Sequence, residues 1–362
     1  MKQKTATAMV FDNQTRNFKS REVQICPSNQ EEIIVQVAYT TICSSDLHTY
    51  CGRRSLDAPT ILGHEIIGYI THLPPMITTD YTGTPINEGD LITWCIYAYD
   101  SEDAIALEGY PQKSASLYKY GHHPFSNTEL NGGFATHCIL KKGTAIFKLP
   151  THLTLYEATP LNCSHATIAG AMRLAGDVKD KTVLVYGAGM LGLSAIAMSK
   201  AQGAKHIIVC DVNEKRLSTA TLFGATQTFQ STHDTESIKQ QISHLKINTV
   251  LDTTGIPAVM EQGIELSAIG ATNIWIGAVF NQSATQINAE TIVRKLITIK
   301  GLHNYTPDDL KNAIAFLSQH HSTFPFKDLA KNEFALEELE EAFDCANKTQ
   351  QYRVGIKATL QI

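Results

Sequence analysis

The sequence predicts an α/β protein with one β-rich domain and one domain built on a parallel sheet. To about residue 155, short apolar runs are broken by glycine, proline and asparagine, as is typical of an irregular β domain. Residues 155–175 are alanine-rich with helical spacing. From Thr182 onward, apolar strands alternate with helices, which indicates right-handed βαβ units and a parallel sheet. The C-terminal part returns to a mixed pattern, with a helix expected at residues 336–346 and a strand near 354–360.

Length and composition fit two soluble domains. The 362 residues are too many for one ordinary core. We expect the β-rich domain at residues 1–158 and 300–362 and the parallel-sheet domain at residues 159–299. The chain is 43% hydrophobic and 18% charged, as globular proteins are. Its 30 basic and 35 acidic residues form no basic stripe, so we expect no nucleic-acid partner.

Targeting signals and cysteine usage both favour the cytoplasm. The N-terminus has two lysines but no apolar stretch of the kind found in signal peptides. No apolar run approaches the length needed to span a membrane, so no membrane partner is expected. In a long chain without a signal, the eight cysteines fit reduced core thiols or metal ligands better than disulfides.

A glycine-rich loop follows a short apolar strand and precedes a helix. Gly187 permits the tight turn, Gly189 lets the backbone approach a pyrophosphate, and Gly192 lets helix and strand pack closely. The helix N-terminus, with Met190 and Leu191, supplies unpaired N–H donors for phosphates. Taken alone, the motif also fits an ordinary glycine-rich loop.

The next strand adds the second half of a dinucleotide signature. It ends at Asp211, where an acidic residue accepts hydrogen bonds from the adenosine ribose hydroxyls. A carboxylate there repels a 2′-phosphate, so the sequence favours NAD over NADP. Arg216, in the following helix, is a further candidate for cofactor binding. Strand, glycines, helix, strand and acid stand in the order of a Rossmann domain.

Three residues of the chain are candidate metal ligands: Cys43, His64 and Cys163. Taken singly, each cysteine also fits a small buried hydrophobe, and the histidine a hydrogen-bonded polar side chain. Spacing alone does not assemble ligands so far apart in the sequence.

Several motifs together resemble the zinc-dependent medium-chain alcohol dehydrogenases. They are residues 43–48, Gly-His-Glu at 63–65 and the glycine loop, which stand in the order and spacing of that family. The resemblance covers essentially the whole chain and includes Gly-Asp at 89–90 and Gly-Gly-Phe-Ala at 132–135. It implies a GroES-like catalytic domain joined to a Rossmann domain.

The resemblance also implies an enzyme that moves a hydride between a small alcohol and NAD. Its catalytic zinc would be bound by Cys43, His64 and Cys163, with the fourth position left for water or substrate. That two-cysteine, one-histidine ligand set is itself the known example from alcohol dehydrogenase.

The same resemblance assigns roles to the neighbours of these ligands. Asp46 would orient a ligand by accepting a hydrogen bond, and Glu65 would be a carboxylate near the metal. Ser45 would receive the proton of the alcohol, and His48 would pass it to solvent by way of the cofactor ribose. Ordinary loop hydrogen bonding is the alternative for these two residues. The chain departs from the family at Ser44, where members often have glycine or a basic residue.

Many relatives carry a second, structural zinc, and here its ligands are missing. Its four cysteines follow the spacing Cys-x2-Cys-x2-Cys-x7-Cys. Aligned on Pro-Gln-Lys at 111–113, the corresponding positions are Asp100, Asp103, Ala106 and Ser114. Without thiolates these side chains make a poor zinc cage, so we expect one zinc per chain and none in this lobe.

Local stretches resemble a narrower subgroup, the alcohol dehydrogenases associated with phosphonate catabolism. An anionic phosphonate needs fixed cationic donors, of which arginine is the best bidentate partner. Arg53 and Arg54 follow the relay residues closely, and Lys119, His122 and His303 would add charge if the fold brings them near. A neutral alcohol or polyol is the alternative, with these residues serving as loop caps, cofactor contacts or surface ion pairs. The stretches are residues 48–50 with 52–54, 111–113, 119–122 and 301–305.

Two rival functions and the oligomeric state complete the expectations. A zinc-free quinone or enone reductase would lack the cysteine and Gly-His-Glu set. A non-catalytic binding protein on the same fold would show decay of the ligands or the relay. By family resemblance we expect a homodimer, or a tetramer built from dimers, with residues 273–279 and 297–299 extending the sheets across a two-fold axis.

Overall fold

The computed structural model describes residues 5–26, 30–231, 235–349 and 351–358. These residues divide into two compact units. The first consists of Met1–Cys163, Thr306–His321 and Phe326–Ile362, and the second of Ser164–Tyr305 and Ser322–Pro325. The boundaries expected from the sequence stay a prediction, because a domain limit is defined by independent folding as well as by packing. No helix in the described part of the chain is both long enough and apolar enough to cross a bilayer.

The strands are numbered in chain order. They are β1 Thr5–Asp12, β2 Asn17–Gln24, β3 Ile33–Ile42, β4 Thr60–Ile61, β5 Glu65–His72, β6 Leu91–Ala98, β7 Tyr118–Lys119, β8 His137–Leu140, β9 Thr144–Lys148, β10 Thr182–Tyr186, β11 His206–Asp211, β12 Gln227–Gln230, β13 Ile247–Asp252, β14 Ser267–Trp275, β15 Thr298–Gly301, β16 Ala330–Ala335 and β17 Arg353–Lys357.

The α-helices follow the same numbering. They are α1 Ser44–Tyr50, α2 Ala104–Leu107, α3 Leu155–Ala158, α4 Ser164–Ala175, α5 Met190–Ala201, α6 Glu214–Leu222, α7 Thr235–Ile242, α8 Pro257–Leu266, α9 Ala289–Lys295, α10 Pro307–His320 and α11 Leu339–Thr349. Short 3₁₀ turns lie at Pro111–Lys113, Thr159–Asn162, Phe326–Asp328 and Leu336–Glu338.

The first unit is β-rich, as the sequence predicts. An eight-stranded sheet runs in the order β16-β17-β3-β5-β6-β7, with β8 paired to β3 and β9 to β6. A smaller sheet has the order β2-β1-β4. The central strand β3 is rich in β-branched and aromatic residues, which favour extended backbone. Its neighbour β17 starts one residue before the expected strand and ends at Lys357, and residues 359–362 lie outside the described part.

The second unit is a parallel sheet with helices between its strands. The order is β12-β11-β10-β13-β14-β15, and every described pair is parallel. Strand β10 is buried along its whole length, as expected for a parallel strand covered on both faces. The strand order reverses between β10 and β13, and the crevice at the carboxyl ends of the strands there is where such sheets bind nucleotides.

The two segments expected to extend this sheet between subunits differ in position. Strand β14 pairs with β13 on one side and β15 on the other, so it has no open edge over residues 272–275. Strand β15 is the last in the order and pairs on one side only among the described strands. Residues 273–275 of the expected segment 273–279 therefore cannot extend the sheet, residues 276–279 lie beyond β14, and the homo-oligomer itself stays a prediction.

Candidate metal centre and nucleotide-binding loop

Strand register brings Cys43 and His64 together. Thr41 of β3 lies opposite Glu65 of the antiparallel strand β5. The two chain segments leave this pair in the same direction, so Cys43, just past β3, lies beside His64, just before β5. Two apolar strands therefore fix the distance between ligands that are 21 positions apart in the sequence.

Cys163 comes from a break between helices. Thr154 starts α3 with a capping box, in which its backbone N–H donates to Glu157 at 2.6 Å. The 3₁₀ turn Thr159–Asn162 packs on β3, β5 and β6. Cys163 then has φ −135°, which ends the helical run before α4 begins. The alanine-rich stretch 155–175 is thus interrupted at the residue that carries the thiol.

The three ligand atoms of Cys43, His64 and Cys163 lie within 4.8 Å of one another. A hydrogen bond from Cys163 lowers the pKa of the Cys43 thiol well below its usual value, with help from Arg353 and His64. Burial alone would lower the pKa of His64, but the Asp46 carboxylate outweighs it and raises that pKa to about 10. The centre therefore favours the Cys43 thiolate and a positive charge, which a metal bound to neutral His64 would supply in place of the imidazole proton.

Asp46 holds the metal centre together from the first turn of α1. Its carboxylate accepts from the backbone N–H of Cys43 at 2.9 Å and of Gly63 at 3.4 Å. It also lies 3.2 Å from His64 Nδ1. This contact orients the imidazole and leaves Nε2 as the ring nitrogen for a metal, which is the arrangement expected for Asp46.

Glu65 is held by an arginine that the sequence reasoning missed. Arg353 Nε and Nη2 each donate to the Glu65 carboxylate at 2.6 Å, and both side chains are buried. Arg353 Nη2 also lies 3.6 Å from Cys43 Sγ. The pairing of Val354 with Ile42 in neighbouring strands puts Arg353 at this point. The signal in the sequence that could have identified Arg353 is a single arginine at the start of an apolar strand.

The two relay candidates lie one turn apart on α1. Ser45 Oγ accepts a hydrogen bond from Arg54 Nη1 at 2.8 Å. Burial lowers the pKa of His48, and the neighbouring Arg53 and Arg54 lower it further, so its imidazole is neutral at pH 7. The structure thus adds Arg54 as a direct neighbour of Ser45.

The cationic residues expected at the substrate divide into three groups. Arg54, which contacts Ser45, also contacts His122, with Arg54 Nη1 3.3 Å from His122 Nε2. Lys119 is near enough to Arg54 that the charge of Arg54 lowers the pKa of Lys119, although burial lowers it more. Arg53 has an exposed side chain. His303 belongs to the second unit.

The lobe at residues 100–114 is held together by a carboxylate at the second of the four positions that align with the structural zinc ligands expected from the resemblance. Asp103 Oδ1 accepts from the backbone N–H of Ile105 at 2.9 Å and of Ala106 at 3.2 Å, which caps α2. Its other oxygen accepts from Ala115 N–H at 3.1 Å, twelve residues further along. One side chain therefore joins the start and end of the lobe. The absence of a zinc there stays a prediction.

The nucleotide loop has the backbone that its glycines require. Gly187 has φ +89°, a conformation that favours glycine. A Cβ on Gly192 would lie 1.8 Å from the Gly187 carbonyl oxygen, whereas one on Gly189 would meet nothing within 4 Å. Gly189 is the N-cap of α5, so the first helical residues, Met190 and Leu191, present their N–H groups beside open space.

Asp211 ends β11 next to this loop. Its Oδ2 accepts from the Ala188 N–H at 2.6 Å and its Oδ1 from the Asn213 N–H at 2.7 Å. Asn213 in turn caps α6, where its side chain accepts from the Arg216 N–H at 3.2 Å. The acid thus braces the loop and faces the same crevice as the glycines, while Arg216 lies in the first turn of α6.

Together, the parallel sheet with its glycine loop and the β-rich unit with its Cys-His-Cys centre define a metal-dependent dehydrogenase. Comparison with known sequences agrees. Residues 29–151 match the alcohol dehydrogenase GroES-like domain, and residues 191–319 match the zinc-binding dehydrogenase domain. The chain belongs to the zinc-binding medium-chain alcohol dehydrogenases, which are NAD(P)-dependent enzymes. The predicted fold class is confirmed.

Individual relatives span nearly the same length. The chain is 27% identical to 5-exo-hydroxycamphor dehydrogenase of Pseudomonas putida, over 98% of this chain and 99% of that one. It is 27% identical to galactitol 1-phosphate 5-dehydrogenase of Escherichia coli, over 75% and 76%. In fold it is similar to an alcohol dehydrogenase of Thermotoga maritima, with a TM-score of 0.89 at 24% identity, covering 98% and 99% of the two chains.

Two glycine variants should separate packing from cofactor contact. Gly192→Ala forces a methyl group onto the Gly187 carbonyl, so we expect it to destabilise the second unit by about 1–3 kcal/mol. Gly189→Ala has room and an ordinary φ of −76°, so we expect wild-type thermal unfolding but about tenfold weaker dinucleotide binding, near 1.4 kcal/mol. Calorimetry and fluorescence titration measure the two quantities. Equal unfolding temperatures for Gly192→Ala and the wild type would contradict the packing argument.

Proposed function

We propose that this chain is an NAD-linked dehydrogenase of small alcohols with a single zinc held by Cys43, His64 and Cys163. The observation that carries the proposal is the convergence of two thiols and one imidazole to within 4.8 Å in a setting that favours a cation. This donor set suits tetrahedral zinc with one position left for water or substrate. When bound, zinc supplies Lewis acidity that makes an alcohol hydroxyl more acidic, and the dinucleotide supplies the hydride acceptor.

Side chains of the protein then transfer the proton of the substrate hydroxyl. In the proposed relay, Ser45 Oγ takes the proton of the substrate hydroxyl and donates its own proton toward His48. Arg54 already donates to Ser45 Oγ, which fixes the hydroxyl and leaves its O–H free to point onward. His48 is neutral at pH 7 and therefore has a lone pair to accept the proton. Asp46 fixes the His64 ring, and Glu65 neutralises Arg353 beside Cys43.

Metal content tests the single-zinc proposal. We expect purified protein to contain one zinc per chain and Cys163→Ala to contain almost none. Loss of partners one step removed from a metal costs about 10–100-fold in activity, so loss of a ligand should lower turnover at least about a hundredfold. Dinucleotide binding should persist in this variant, because the glycine loop belongs to the other unit. The matched control is Cys26→Ala, an exposed thiol, which should keep its zinc. Two zincs per chain by elemental analysis would contradict the proposal.

Cofactor preference tests the role proposed for Asp211. The carboxylate at the end of β11 repels a 2′-phosphate, so kcat/KM should be higher with NAD than with NADP by about tenfold or more, near 1.4 kcal/mol. Asp211→Ser should narrow that ratio. The variant also loses the hydrogen bonds from Ala188 and Asn213, which weakens binding of both cofactors. Comparing NAD with NADP in the same variant removes that shared effect. A wild-type preference for NADP would rule the proposal out.

The finer proposal is that the substrate carries an anionic group, as in a hydroxyphosphonate or its aldehyde. Its support is Arg54, a cation in direct contact with Ser45. The names of the relatives include both anionic and neutral substrates. The Escherichia coli enzyme is named for a phosphate-bearing polyol, and the Pseudomonas putida enzyme is named for an uncharged alcohol. A neutral alcohol or polyol therefore fits the family as well, and a non-catalytic dinucleotide-binding protein is the remaining alternative.

A substrate panel distinguishes these alternatives. We expect 2-hydroxyethylphosphonate to give a higher kcat/KM than 1-propanol or 1,2-propanediol. Arg54→Ala should lower the phosphonate-to-propanol ratio of kcat/KM by about tenfold or more, because a charged hydrogen bond contributes about 1.5–3 kcal/mol. Arg53→Ala should have the smaller effect, since that side chain is exposed. If neutral alcohols are preferred and the ratio is unchanged in Arg54→Ala, the anionic substrate is excluded while the dehydrogenase assignment stands.

A further inference from the structure

Arg54 has one side of its guanidinium occupied and the other open. Nη1 donates both of its protons, to Ser45 Oγ at 2.8 Å and to His122 Nε2 at 3.3 Å. The Nε and Nη2 side has no protein partner among the described residues, and no carboxylate of those residues pairs with Arg54. That open side is the fork that binds carboxylate or phosphonate oxygens in a bidentate manner.

The chemistry of the two partners fixes the state of His122. Its Nδ1 lies 3.1 Å from the Tyr120 carbonyl oxygen, which can only accept, so Nδ1 carries the proton. Arginine can only donate, so the Nε2 atom facing Arg54 carries the lone pair. His122 is therefore neutral and does not add charge, contrary to the sequence-based expectation. It positions Arg54 instead.

Lys119 is a second half-buried cation, and it lies on the turn that carries His122. Its backbone carbonyl accepts from the N–H groups of His122 and His123, so the lysine and the positioning histidine share one turn. Gly121 within it has φ +72°, and a Cβ there would lie 2.7 Å from the Gly63 carbonyl oxygen, so the turn is seated on the loop that carries His64. Burial and then the nearby Arg54 lower the pKa of Lys119 to about 8.

Two nearby cations without a carboxylate partner among the described residues are unfavourable where both are half-buried. Among the described residues, no carboxylate pairs with Lys119 or with Arg54. Lys141, by comparison, lies between Glu32 and Glu129. Desolvated charges are normally paired, so an unpaired pair of cations is expected to bind an anion.

We propose that Arg54 and Lys119 together bind the anionic group of the substrate, with His122 as the residue that positions Arg54. This inference rests on the proposed function. A tetrahedral dianion, a phosphonate or a phosphate monoester, can fill the Arg54 fork with two oxygens and offer a third to Lys119, whereas a carboxylate that fills the fork has no further oxygen.

Binding of methylphosphonate, which cannot be oxidised, tests the anion site apart from catalysis. The probe is titrated into the full-length, zinc-loaded protein without dinucleotide and followed by calorimetry and ³¹P NMR. We expect saturable binding that weakens at least tenfold in Arg54→Ala and in Lys119→Ala and is kept in Lys119→Arg. Arg21→Ala and Lys142→Ala, which remove exposed cations of the same unit, are the matched controls. His122→Leu should weaken binding, and His122→Gln, whose amide oxygen accepts from Arg54, should restore it.

The outcomes separate the anion site from the proposed function. No binding of methylphosphonate, or unchanged binding in Lys119→Ala, overturns the site even if phosphonate alcohols remain good substrates. Failure of His122→Gln to restore binding overturns the positioning role.

Kinetics with 2-hydroxyethylphosphonate and with the corresponding phosphate ester and hydroxycarboxylate test the substrate class. We expect kcat/KM to fall at least tenfold from phosphonate to carboxylate, and the better of phosphonate and phosphate identifies the source. Equal kcat/KM for phosphonate and carboxylate overturns the preference for a tetrahedral dianion. Preference for neutral alcohols with intact, Lys119-dependent methylphosphonate binding overturns the anionic substrate alone.

Discussion

The buried ion pair between Arg353 and Glu65 is the interaction on which the metal centre depends. Removing two charges from water is costly, and here the cost is offset by two short parallel hydrogen bonds and a third from Thr41. Losing one partner would leave a buried charge uncompensated, at about 3–5 kcal/mol. Because Arg353 begins β17 and Glu65 begins β5, the pair ties the C-terminal strand to the ligand-bearing edge of β3. This tie adds the Arg353 charge to the Cys163 hydrogen bond that lowers the pKa of Cys43.

The cations of the first unit have two different roles, which their partners distinguish. Arg353 is fully buried and its charge is matched by Glu65, so it supports the structure and the Cys43 thiolate. Arg54 and Lys119 are only half-buried and lack carboxylates among the described residues. A matched charge stabilises the protein itself, whereas an unmatched one is available to a ligand. Pairing and burial, more than residue type, separate these roles.

The lobe around Asp103 shows how one carboxylate can join distant parts of a loop. A zinc joins distant parts of a loop through strong bonds to four side chains. Asp103 joins residues on both sides of α2 through three weaker hydrogen bonds to backbone N–H groups. Such a carboxylate needs only N–H donors in reach, so a single acidic residue suffices. The catalytic centre allows no such replacement, because its proposed chemistry needs the Lewis acid itself.

The sequence alone determined what depends on local pattern. The alternation of strands and helices gave the parallel sheet, the glycine spacing gave the loop after β10, and Asp211 could be placed because it ends the next strand. The candidate ligands and Asp46 came from motif resemblance, since their spacing has no period. Tertiary structure decided the contacts that join distant segments, because strand register and packing set them. Arg353 reaches Glu65 across 288 positions, and Arg54 reaches His122 across 68. Only these contacts show that His122 is neutral and that Arg54 is close enough to lower the pKa of Lys119, because a protonation state and a pKa depend on neighbours that no local pattern identifies.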